Sequence, residues 1–529
     1  MGRRSGAPRM SAHGRSRQFD REMNAPEPAP VSARRRVAWL AAGAALAVLA
    51  GWLPGELPAP ARATAATAVF TAWCWLTGCV PIAVASLLPA LLLPATGAMA
   101  ASEVAPSYFH DILMLFLGGF VLAIALERYG VHRRFALAAV AGLGGNPRRL
   151  VLGFMAVACV LSMFISNTST ALLMLPVAVA VLEDCPAEHA RALGRPLLLG
   201  LAYSCSIGGV ATPIGTAPNA SLIAQLANRF PEAPEIAFGT WFLGAAPFSL
   251  AFLLVSWFVL VRVDSRLPKG TVFEIEEIRA RRRGLGRRSK EQNRVIAVFA
   301  VVALLWMTRR GARFGDAFSV PGWSALLPNT LAATISDSTV ALFGMLLLFV
   351  LPSRETRSGA LLDWADCRRI PWEVLLLLGG GFALARAFEV SGLSAEIGAQ
   401  LKDTVASLPT LAAVGLTVLV VTFLTELTSN TATINVLLPL FFSASVAAGL
   451  HPLLLALPAT LAVSCAFMLP VATPPNAILF SSGRLTIAEM ARAGFLLNLV
   501  TVVFATLFAL YWTAPVWGFD LSTSPAWAK

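Results

Sequence analysis

Two polar segments with matching residues interrupt long apolar stretches of this chain. Residues 165 to 170 read ISNTST, and residues 428 to 433, 263 positions later, read TSNTAT. Ser, Asn and Thr are poor helix formers because their side chains compete for backbone hydrogen bonds. At a break in a helix, their oxygens and the freed carbonyls can ligate a small cation such as sodium, while the free N–H groups of a helix N-terminus favour an anion. One break can therefore hold a cation and an anion side by side.

Two further pairs of segments repeat at nearly the same spacing. LGGF at residues 117 to 120 corresponds to GGGF at residues 379 to 382, and PIGTAPNA at residues 213 to 220 corresponds to PVATPPNA at residues 470 to 477. The three pairs occur in the same order, at offsets of 262, 263 and 257. This pattern indicates an internal duplication.

The composition is that of an integral membrane protein. The mean hydropathy is +0.71 and only 13% of the residues are charged, against roughly 25% in soluble domains. Long apolar runs, rather than short alternating segments, predict an all-α polytopic fold. The sequence has no HExxH, GxSxG or GxxxxGK motif, so we expect a protein that is not an enzyme.

Positive charge is concentrated in two segments. Residues 1 to 36 carry nine Arg against three acids, and residues 262 to 294 carry eleven Lys or Arg against five acids. Both flank apolar spans, so the positive-inside rule places them in the cytoplasm and argues against a nucleic-acid partner. Each is interpreted as a solvated segment that only sets orientation, with contact to anionic membrane lipid as the alternative.

Two apolar segments have lengths that fit no simple span. Residues 148 to 182 and 413 to 446 are too long for one crossing of about 20 residues and too short for two crossings with a loop. Each has Ser-Asn-Thr near its middle, so the pattern predicts two crossing helices that are broken at that point. Inverted repeats with broken helices are typical of secondary transporters with a substrate site at the midplane.

Two other segments are short and have glycines at their centres. Residues 112 to 129 contain Gly118-Gly119, and residues 374 to 391 contain Gly380-Gly381. Paired glycines permit a tight reversal, so these segments are predicted to be two re-entrant hairpins. A simple span that flexes at the glycines is the alternative.

The two cytoplasmic segments constrain the number of crossings. With residues 37 to 53 taken as a retained span rather than a signal peptide, and residues 66 to 98 crossing twice, the halves cross six and five times. About eleven crossings follow, with the N-terminus in the cytoplasm, the C-terminus outside and the two repeats inverted. The predicted organisation is a basic cytoplasmic tail (1–36), a first transmembrane half (37–262), a basic cytoplasmic loop (263–294), a second transmembrane half (295–514) and a C-terminal tail (515–529).

The paired motifs resemble those of the divalent anion sodium symporters, which carry dicarboxylates, citrate or sulfate. The resemblance covers residues 66 to 514 and includes both Ser-Asn-Thr segments, the LGGF segments and the Thr-Pro-Pro-Asn motif. It implies a homodimer in the cell (inner) membrane, with a substrate-binding part that moves as an elevator against a fixed scaffold. It also implies a first sodium site at Ser162, Ser166, Asn167 and Gly215, a second at Thr425, Thr428, Asn430 and Ala472, and an anion site at Asn167, Thr168, Ser429, Asn430, Thr431 and Thr473.

The expected function is therefore import of a small divalent anion, such as the C4-dicarboxylates succinate, malate or fumarate, with sodium as the co-transported ion. Neutral hydroxyls and amides suit carboxylate and sulfate alike, so a sulfate or citrate symporter is an alternative. A proton-coupled transporter, an antiporter and an arsenite-type exporter of related architecture are further alternatives. A channel would share a midplane cavity without needing two inverted sites.

Glu426 and Asp337 are acidic residues inside apolar segments. Such residues are functional by default, and an acid held by internal hydrogen bonds is the alternative. For the Ser-Asn-Thr pair, the alternative is hydrogen bonding between packed helices. The seven Cys have no CxxC spacing, so we expect neither a disulfide framework nor a zinc site.

Overall fold

The fold is almost entirely helical, which confirms the predicted class. The structure is a computed structural model that describes residues 32–52, 57–140, 146–183, 187–265, 267, 280, 282–314, 318–521 and 523–528. Most of the Arg-rich tail and residues 268–279 of the basic loop lie outside this part of the chain. The boundaries predicted for the tail and the loop remain predictions.

The described helices of the first half include both long and short elements. They are α1 (Ala33–Gly51), α2 (Ala59–Thr77), α3 (Ile82–Ala85), α4 (Leu88–Ala95), α5 (Ala101–Val104), α6 (Asp111–Arg128), α7 (Val131–Val140), α8 (Pro147–Ser162), α9 (Asn167–Glu183), α10 (Ala187–Gly209), α11 (Ala217–Arg229) and α12 (Phe238–Phe258). A 3₁₀ turn over Ala105–Phe109 precedes α6, and a π-helix over Val259–Asp264 extends α12.

The second half begins with a helix, which a small β-hairpin follows. Its described helices are α13 (Lys290–Thr308), α14 (Asn329–Thr334), α15 (Asp337–Val350), α16 (Trp372–Val390), α17 (Leu393–Ser407), α18 (Thr410–Leu424), α19 (Asn430–Ala447), α20 (Leu453–Val463), α21 (Pro474–Phe480), α22 (Ile487–Phe508) and α23 (Ala514–Val516). The antiparallel strands are β1 (Gly311–Phe314) and β2 (Phe318–Pro321). The 3₁₀ turns are Trp323–Leu326, Trp364–Arg369 and Ala526–Ala528, and a π-helix over Ala509–Thr513 extends α22.

The first Ser-Asn-Thr segment is broken where the sequence predicts, but its two arms run in opposite directions. A Cβ on Gly194 of α10 would lie 3.7 Å from Leu182, and one on Gly209 would lie 2.9 Å from Asn167, so α9 is antiparallel to α10. A Cβ on Gly200 would meet Met155, and one on Gly208 would overlap the backbone of Cys159, so α8 is parallel to α10. We call this pair of arms, residues 147–183, hairpin A.

The second Ser-Asn-Thr segment, residues 410–447, forms hairpin B in the same way. Its tip lies beside the middle of α22, where Asn498 donates a 2.7 Å hydrogen bond to Glu426. The start of the first arm lies toward the end of α22, since a Cβ on Gly415 would be 4.0 Å from Thr506 Oγ1. The second arm returns to that same end, where the rings of His451 and Phe519 lie 5.1 Å apart. The prediction that both segments are single broken crossings is therefore wrong. A hairpin of two arms, each about half the length of the segment, accounts for the same segment length.

The PIGTAPNA and PVATPPNA segments are the points where helices break without reversing. Broken helix A, residues 187–229, begins near the ends of hairpin A and reaches the ends of hairpin B, where Phe230 and Phe442 have ring centroids 5.9 Å apart. Broken helix B, residues 453–480, runs the opposite way, and Arg484 beyond it lies 3.7 Å from Glu183 of hairpin A. We call the face with the ends of hairpin A the lower face and the face with the ends of hairpin B the upper face.

The predicted hairpins at the paired glycines are also wrong, since α6 and α16 continue through them. The glycines do not have positive φ values. Instead, they permit close helix packing. A Cβ on Gly118 would lie 2.7 Å from Ala341 of α15, and one on Gly381 would overlap the side chain of Asn435 in hairpin B.

Among the described residues, five helices are long and apolar enough to cross a membrane, judged by length and composition. They are Ala101–Arg128, Phe238–Asp264, Lys290–Thr308, Asn430–Ala447 and Ile487–Val516. The pair Trp372–Val390 and Leu393–Ser407, bent by 78°, makes a sixth if it is taken as one span. The predicted count of about eleven crossings includes shorter and broken elements and remains a prediction.

Candidate functional site

The tip of hairpin A and the break in helix A form a first cluster of oxygen atoms. The Ser162 hydroxyl lies 2.5 Å from Asn167 Oδ1, to which it donates a hydrogen bond. A Cβ on Gly209 would lie 2.9 Å from Asn167 Oδ1 and 3.0 Å from the carbonyl oxygen of Gly215. Three of the four residues predicted for the first sodium site, Ser162, Asn167 and Gly215, therefore lie around one small space. A side chain on Gly209 would fill that space.

The tip of hairpin B repeats this arrangement. The Thr425 hydroxyl lies 2.5 Å from Asn430 Oδ1 and 3.1 Å from the carbonyl oxygen of Val463 at the end of α20. Thr425 and Asn430 are five positions apart, as are Ser162 and Asn167. Two residues predicted for the second sodium site are thus brought together by the same local geometry as in the first half.

The hydroxyls of Ser166 and Thr428 do not point into these clusters. Ser166 Oγ accepts the N–H of Ser169 at 3.1 Å and donates to Ser169 Oγ at 3.0 Å, so it caps the first turn of α9. Thr428 Oγ1 lies 2.9 Å from the Leu424 carbonyl and 2.5 Å from Thr433 Oγ1. Since both hydroxyls are already hydrogen-bonded in this conformation, we expect the two residues to offer an ion their carbonyl oxygens.

Ala472 lies in the break of helix B. It is buried, and its N–H donates a 3.2 Å hydrogen bond to the Leu469 carbonyl. The described contacts do not join it directly to Thr425 and Asn430. Its predicted role as a sodium ligand requires its carbonyl oxygen.

The residues predicted for the anion site lie at the starts of helices that begin at the breaks. Thr168, Ser429 and Thr431 are half-buried at the starts of α9 and α19. Thr473 is buried and caps α21 by accepting the Asn476 N–H at 3.3 Å. Helices α9, α11 and α19 all begin at these polar links, so their N-termini add partial positive charge to the region.

Glu426 is held by internal hydrogen bonds, which matches the alternative interpretation of this acid. Its side chain is 3% exposed and accepts the N–H groups of Phe467, Met468 and Leu469 at 2.7, 2.9 and 3.1 Å. The Asn498 amide donates a fourth bond at 2.7 Å. The carboxylate therefore ties the tip of hairpin B to the break in helix B.

The Asp337 carboxylate is likewise engaged in hydrogen bonds to neighbouring residues. Its carboxylate accepts 2.6 Å hydrogen bonds from Arg309 Nε and from the Phe238 N–H. It thus joins the start of α12 to the end of α13 at the upper face. These contacts again fit an acid held by internal hydrogen bonds.

The structure reveals two polar residues to which the sequence interpretation gave no role, Asn219 and Asn476. Both are fully buried beside the breaks, and their amides donate to backbone carbonyls of the unwound segments. Their equivalent positions in the paired PIGTAPNA and PVATPPNA motifs are the sequence signal that could have identified them.

The oxygen clusters contain only neutral groups. Among the described residues, no group of three or more His, Cys, Asp or Glu side chains could hold a metal ion. The nearby Glu426 carboxylate is occupied by N–H donors. Neutral hydroxyl, amide and carbonyl oxygens suit a weakly bound monovalent cation better than a transition metal, which prefers thiolate and imidazole ligands.

Comparison with known proteins relates this chain to membrane transporters. Residues 33–518 match the family described as the sodium:sulfate symporter transmembrane region. The chain is 38% identical over 462 residues to the sodium-dependent dicarboxylate transporter SdcS of Staphylococcus saprophyticus, covering 85% of each protein. It is 36% identical over 483 residues to SdcS of Staphylococcus aureus, covering 89% of each.

Two solved structures share the fold at low sequence identity. Neisseria gonorrhoeae MtrF, described as one of a class of antimetabolite efflux pumps, aligns with a TM-score of 0.55 and 13% identity, over 88% of this chain and 97% of its own. The Alcanivorax borkumensis YdaH transporter aligns with a TM-score of 0.54 and 13% identity, over 90% and 97%. These two likenesses concern architecture alone.

Proposed function

This chain belongs to the sodium:sulfate symporter family, and on that premise we propose that it imports a small divalent anion together with sodium. The observation that carries the proposal is the duplicated pair of a hydroxyl and an Asn oxygen, 2.5 Å apart at the tip of each hairpin. The 36–38% identity to sodium-dependent dicarboxylate transporters supports a C4-dicarboxylate such as succinate, malate or fumarate as the anion.

Each oxygen cluster is proposed to bind one sodium ion. In the first, Ser162, Asn167 and Gly215 would ligate the ion, with Ser166 contributing its carbonyl oxygen. In the second, Thr425 and Asn430 would ligate it, with the carbonyls of Thr428 and Ala472. At least two sodium ions per anion follow, and two of them would balance the charge of a dicarboxylate.

The anion is proposed to lie between the two hairpin tips. The Asn167 and Asn430 amides and the hydroxyls of Thr168, Ser429, Thr431 and Thr473 would donate hydrogen bonds to its carboxylates. The N-termini of α9, α11 and α19 would contribute further N–H groups and partial positive charge. The paired motifs contain no Arg or Lys that would favour a tricarboxylate.

The proposed membrane arrangement is an inverted repeat with eleven crossings. The first six are α1, α2, the α3–α4 segment, α6, broken helix A and α12, and the remaining five are α13, α15, α16, broken helix B and α22. Hairpins A and B would be re-entrant from opposite faces. The basic loop leaves α12 at the lower face, so that face is assigned to the cytoplasm.

Alternating access is proposed to occur by an elevator movement in a homodimer. The hairpins and broken helices pack together around the candidate site and would move as one body. The remaining helices, α13, α15 and α16 among them, would form the fixed scaffold and the dimer contact.

Uptake by purified protein in proteoliposomes tests this function. Radiolabelled succinate should accumulate only with an inward sodium gradient, and its initial rate should depend sigmoidally on sodium because two ions enter together. Sulfate and citrate, tested in the same panel, should compete poorly with succinate. Undiminished uptake from sodium-free buffer at constant pH would contradict sodium coupling and favour protons, and efflux without uptake would favour an exporter.

A further inference from the structure

Asn219 and Asn476 occupy equivalent places in the two halves and make equivalent contacts. The Asn219 amide donates to the carbonyl oxygens of Gly209 at 3.0 Å and Thr212 at 2.7 Å, and that of Val210 lies 3.2 Å away. The Asn476 amide donates to those of Ala466 at 3.1 Å and Leu469 at 3.0 Å. Donors and acceptors are both offset by 257 positions, the offset of the motif itself. The asparagine has therefore been kept in the same bonding pattern in both repeats.

In each half, one of these carbonyls also accepts a hydrogen bond from the backbone N–H of a proposed sodium ligand. The Thr212 carbonyl accepts the N–H of Gly215 at 3.2 Å, and the Leu469 carbonyl accepts the N–H of Ala472 at 3.2 Å. The asparagine and the residue whose carbonyl oxygen is proposed to face the ion therefore donate to the same backbone carbonyl. Neither asparagine lies at a hairpin tip.

The breaks need such donors because their carbonyls have lost their helical partners. Non-helical backbone inside a membrane persists only where other groups satisfy it. Both asparagines are 0% exposed, so water does not reach them from the surface of the described structure. A single NH₂ group that bridges two carbonyls fixes their separation and, through it, the shape of the turn.

We propose that Asn219 and Asn476 are positioning residues, each of which sets the carbonyl geometry of one sodium site. This proposal rests on the sodium symport proposed above. It differs from a general packing role because it predicts a selective effect on sodium: loss of either amide should weaken sodium binding by about 10- to 100-fold, the range typical of outer partners of metal ligands.

Asn→Asp substitutions test the proposal with little change of shape. Among the described residues, neither Asn219 Oδ1 nor Asn476 Oδ1 has a donor, so Asn219→Asp and Asn476→Asp remove the NH₂ group without removing an accepted hydrogen bond. Each substitution also introduces an ionisable carboxyl group, and the control variant carries the same change. Asn435→Asp is the matched control. Asn435 is 1% exposed, donates a 3.3 Å bond to the Leu377 carbonyl and accepts a 3.3 Å bond from Gln225 Nε2, and neither partner lies in a break.

The measurements are the rise in melting temperature on sodium titration of the purified protein and the half-saturating sodium concentration for succinate uptake. Both site variants should require about 10- to 100-fold more sodium for the same response. In sodium-free buffer, they should melt at the same temperature as Asn435→Asp. The control variant should keep the wild-type sodium response. A sodium response in both variants within twofold of the control overturns the proposal. Failure of both to fold while the control folds also overturns it, because the amides would then maintain the fold. If the wild type itself does not respond to sodium, sodium symport is overturned together with this assignment.

Discussion

Gly209 occupies the position at which a side chain would fill the first oxygen cluster. We expect Gly209→Ala to raise the half-saturating sodium concentration for uptake by about tenfold or more, since the added methyl would crowd two ligands of one ion. The two ligands are the Asn167 side chain and the Gly215 carbonyl, 2.9 and 3.0 Å from the new Cβ. Sodium-dependent uptake in proteoliposomes measures the effect.

Gly194→Ala is the control for this substitution. Gly194 lies on the same helix, and its Cβ would be 3.7 Å from Leu182, an ordinary contact. Both substitutions raise helix propensity by up to about 1 kcal/mol, so propensity does not distinguish them. Equal sodium dependence in the two variants would contradict the location of the first site.

Asn167 and Asn430 are expected to serve the cation and the anion at once. Asn167→Ala or Asn430→Ala removes a ligand oxygen and an amide donor, and a lost hydrogen bond to a charged group costs about 1.5–3 kcal/mol. Uptake should therefore fall by at least about tenfold in each variant, while expression and oligomeric state stay unchanged. Initial uptake rates and size-exclusion profiles test this.

Asn146→Ala provides the comparison for those two variants. Asn146 caps α8 by accepting the Arg148 N–H at 3.0 Å, and its loss should cost about 1 kcal/mol of stability without affecting transport. If the site variants lose folded protein instead of activity, interhelical packing is the better explanation. Near-normal uptake in both would refute the assigned site.

At the residue scale, the family resemblance named the members of the two central pairs but not their surroundings. The sequence supports the pairing of Ser162 with Asn167 and of Thr425 with Asn430, because equal spacing in two copies favours equal local geometry. The hydroxyls of Ser166 and Thr428 could not be placed, because helix capping competes with ion binding for the same group. Asn219 and Asn476 were missed because their partners are backbone carbonyls. Every residue has a backbone carbonyl, so the sequence does not mark which residues are the partners.

At the scale of elements, the hairpin explains how an interrupted helix is tolerated in an apolar environment. The tip at 163–166 packs against the break at 210–216, and the break supplies a hydrogen-bond partner to the backbone of the tip. Thr212 Oγ1 donates to the Met163 carbonyl. Such a partner avoids the cost of several kcal/mol of a bare polar group.

The hairpin assignment predicts that both ends of segment 147–183 lie on one side of the membrane. Arg149 and Glu183 are exposed residues near those ends. With Arg149→Cys and Glu183→Cys made singly on a Cys-free background, a membrane-impermeant maleimide should modify each only after the cells are permeabilised. Labelling of one site in intact cells and the other after permeabilisation would restore a crossing helix.

Segment length and composition could not distinguish a hairpin from a broken crossing. Both place a polar link at the centre of about 35 apolar residues, and the direction of the second arm depends on its packing against α10 or α20. The glycine pairs were misinterpreted for a related reason. A glycine can serve a turn or a close helix contact, and only the partner, Ala341 for Gly118, decides between them.

At the scale of the whole molecule, the two wrong element assignments compensate. The Ser-Asn-Thr segments cease to be crossings, while α6 and α16 replace them, so the arrangement proposed above still assigns six and five crossings to the two halves. The parity argument from charge is therefore unaffected. The second arm of each Ser-Asn-Thr segment keeps its predicted direction and the first arm is reversed, so hairpins A and B start from opposite faces, as an inverted repeat requires.

The last prediction concerns this orientation. Reversing it would require the basic segments at both ends of the first half to be translocated, and each carries a net charge of +6. Translocation is disfavoured because an Arg or Lys at the membrane centre costs about 2.5–3.5 kcal/mol on translocon-based scales. On a Cys-free background, Ser289→Cys should therefore react with an impermeant maleimide only after permeabilisation, and Ser524→Cys should react in intact cells. Labelling of both sites from the same side would make the number of crossings between them even rather than five. In that case, the proposed eleven crossings and the inverted-repeat assignment would have to be rebuilt.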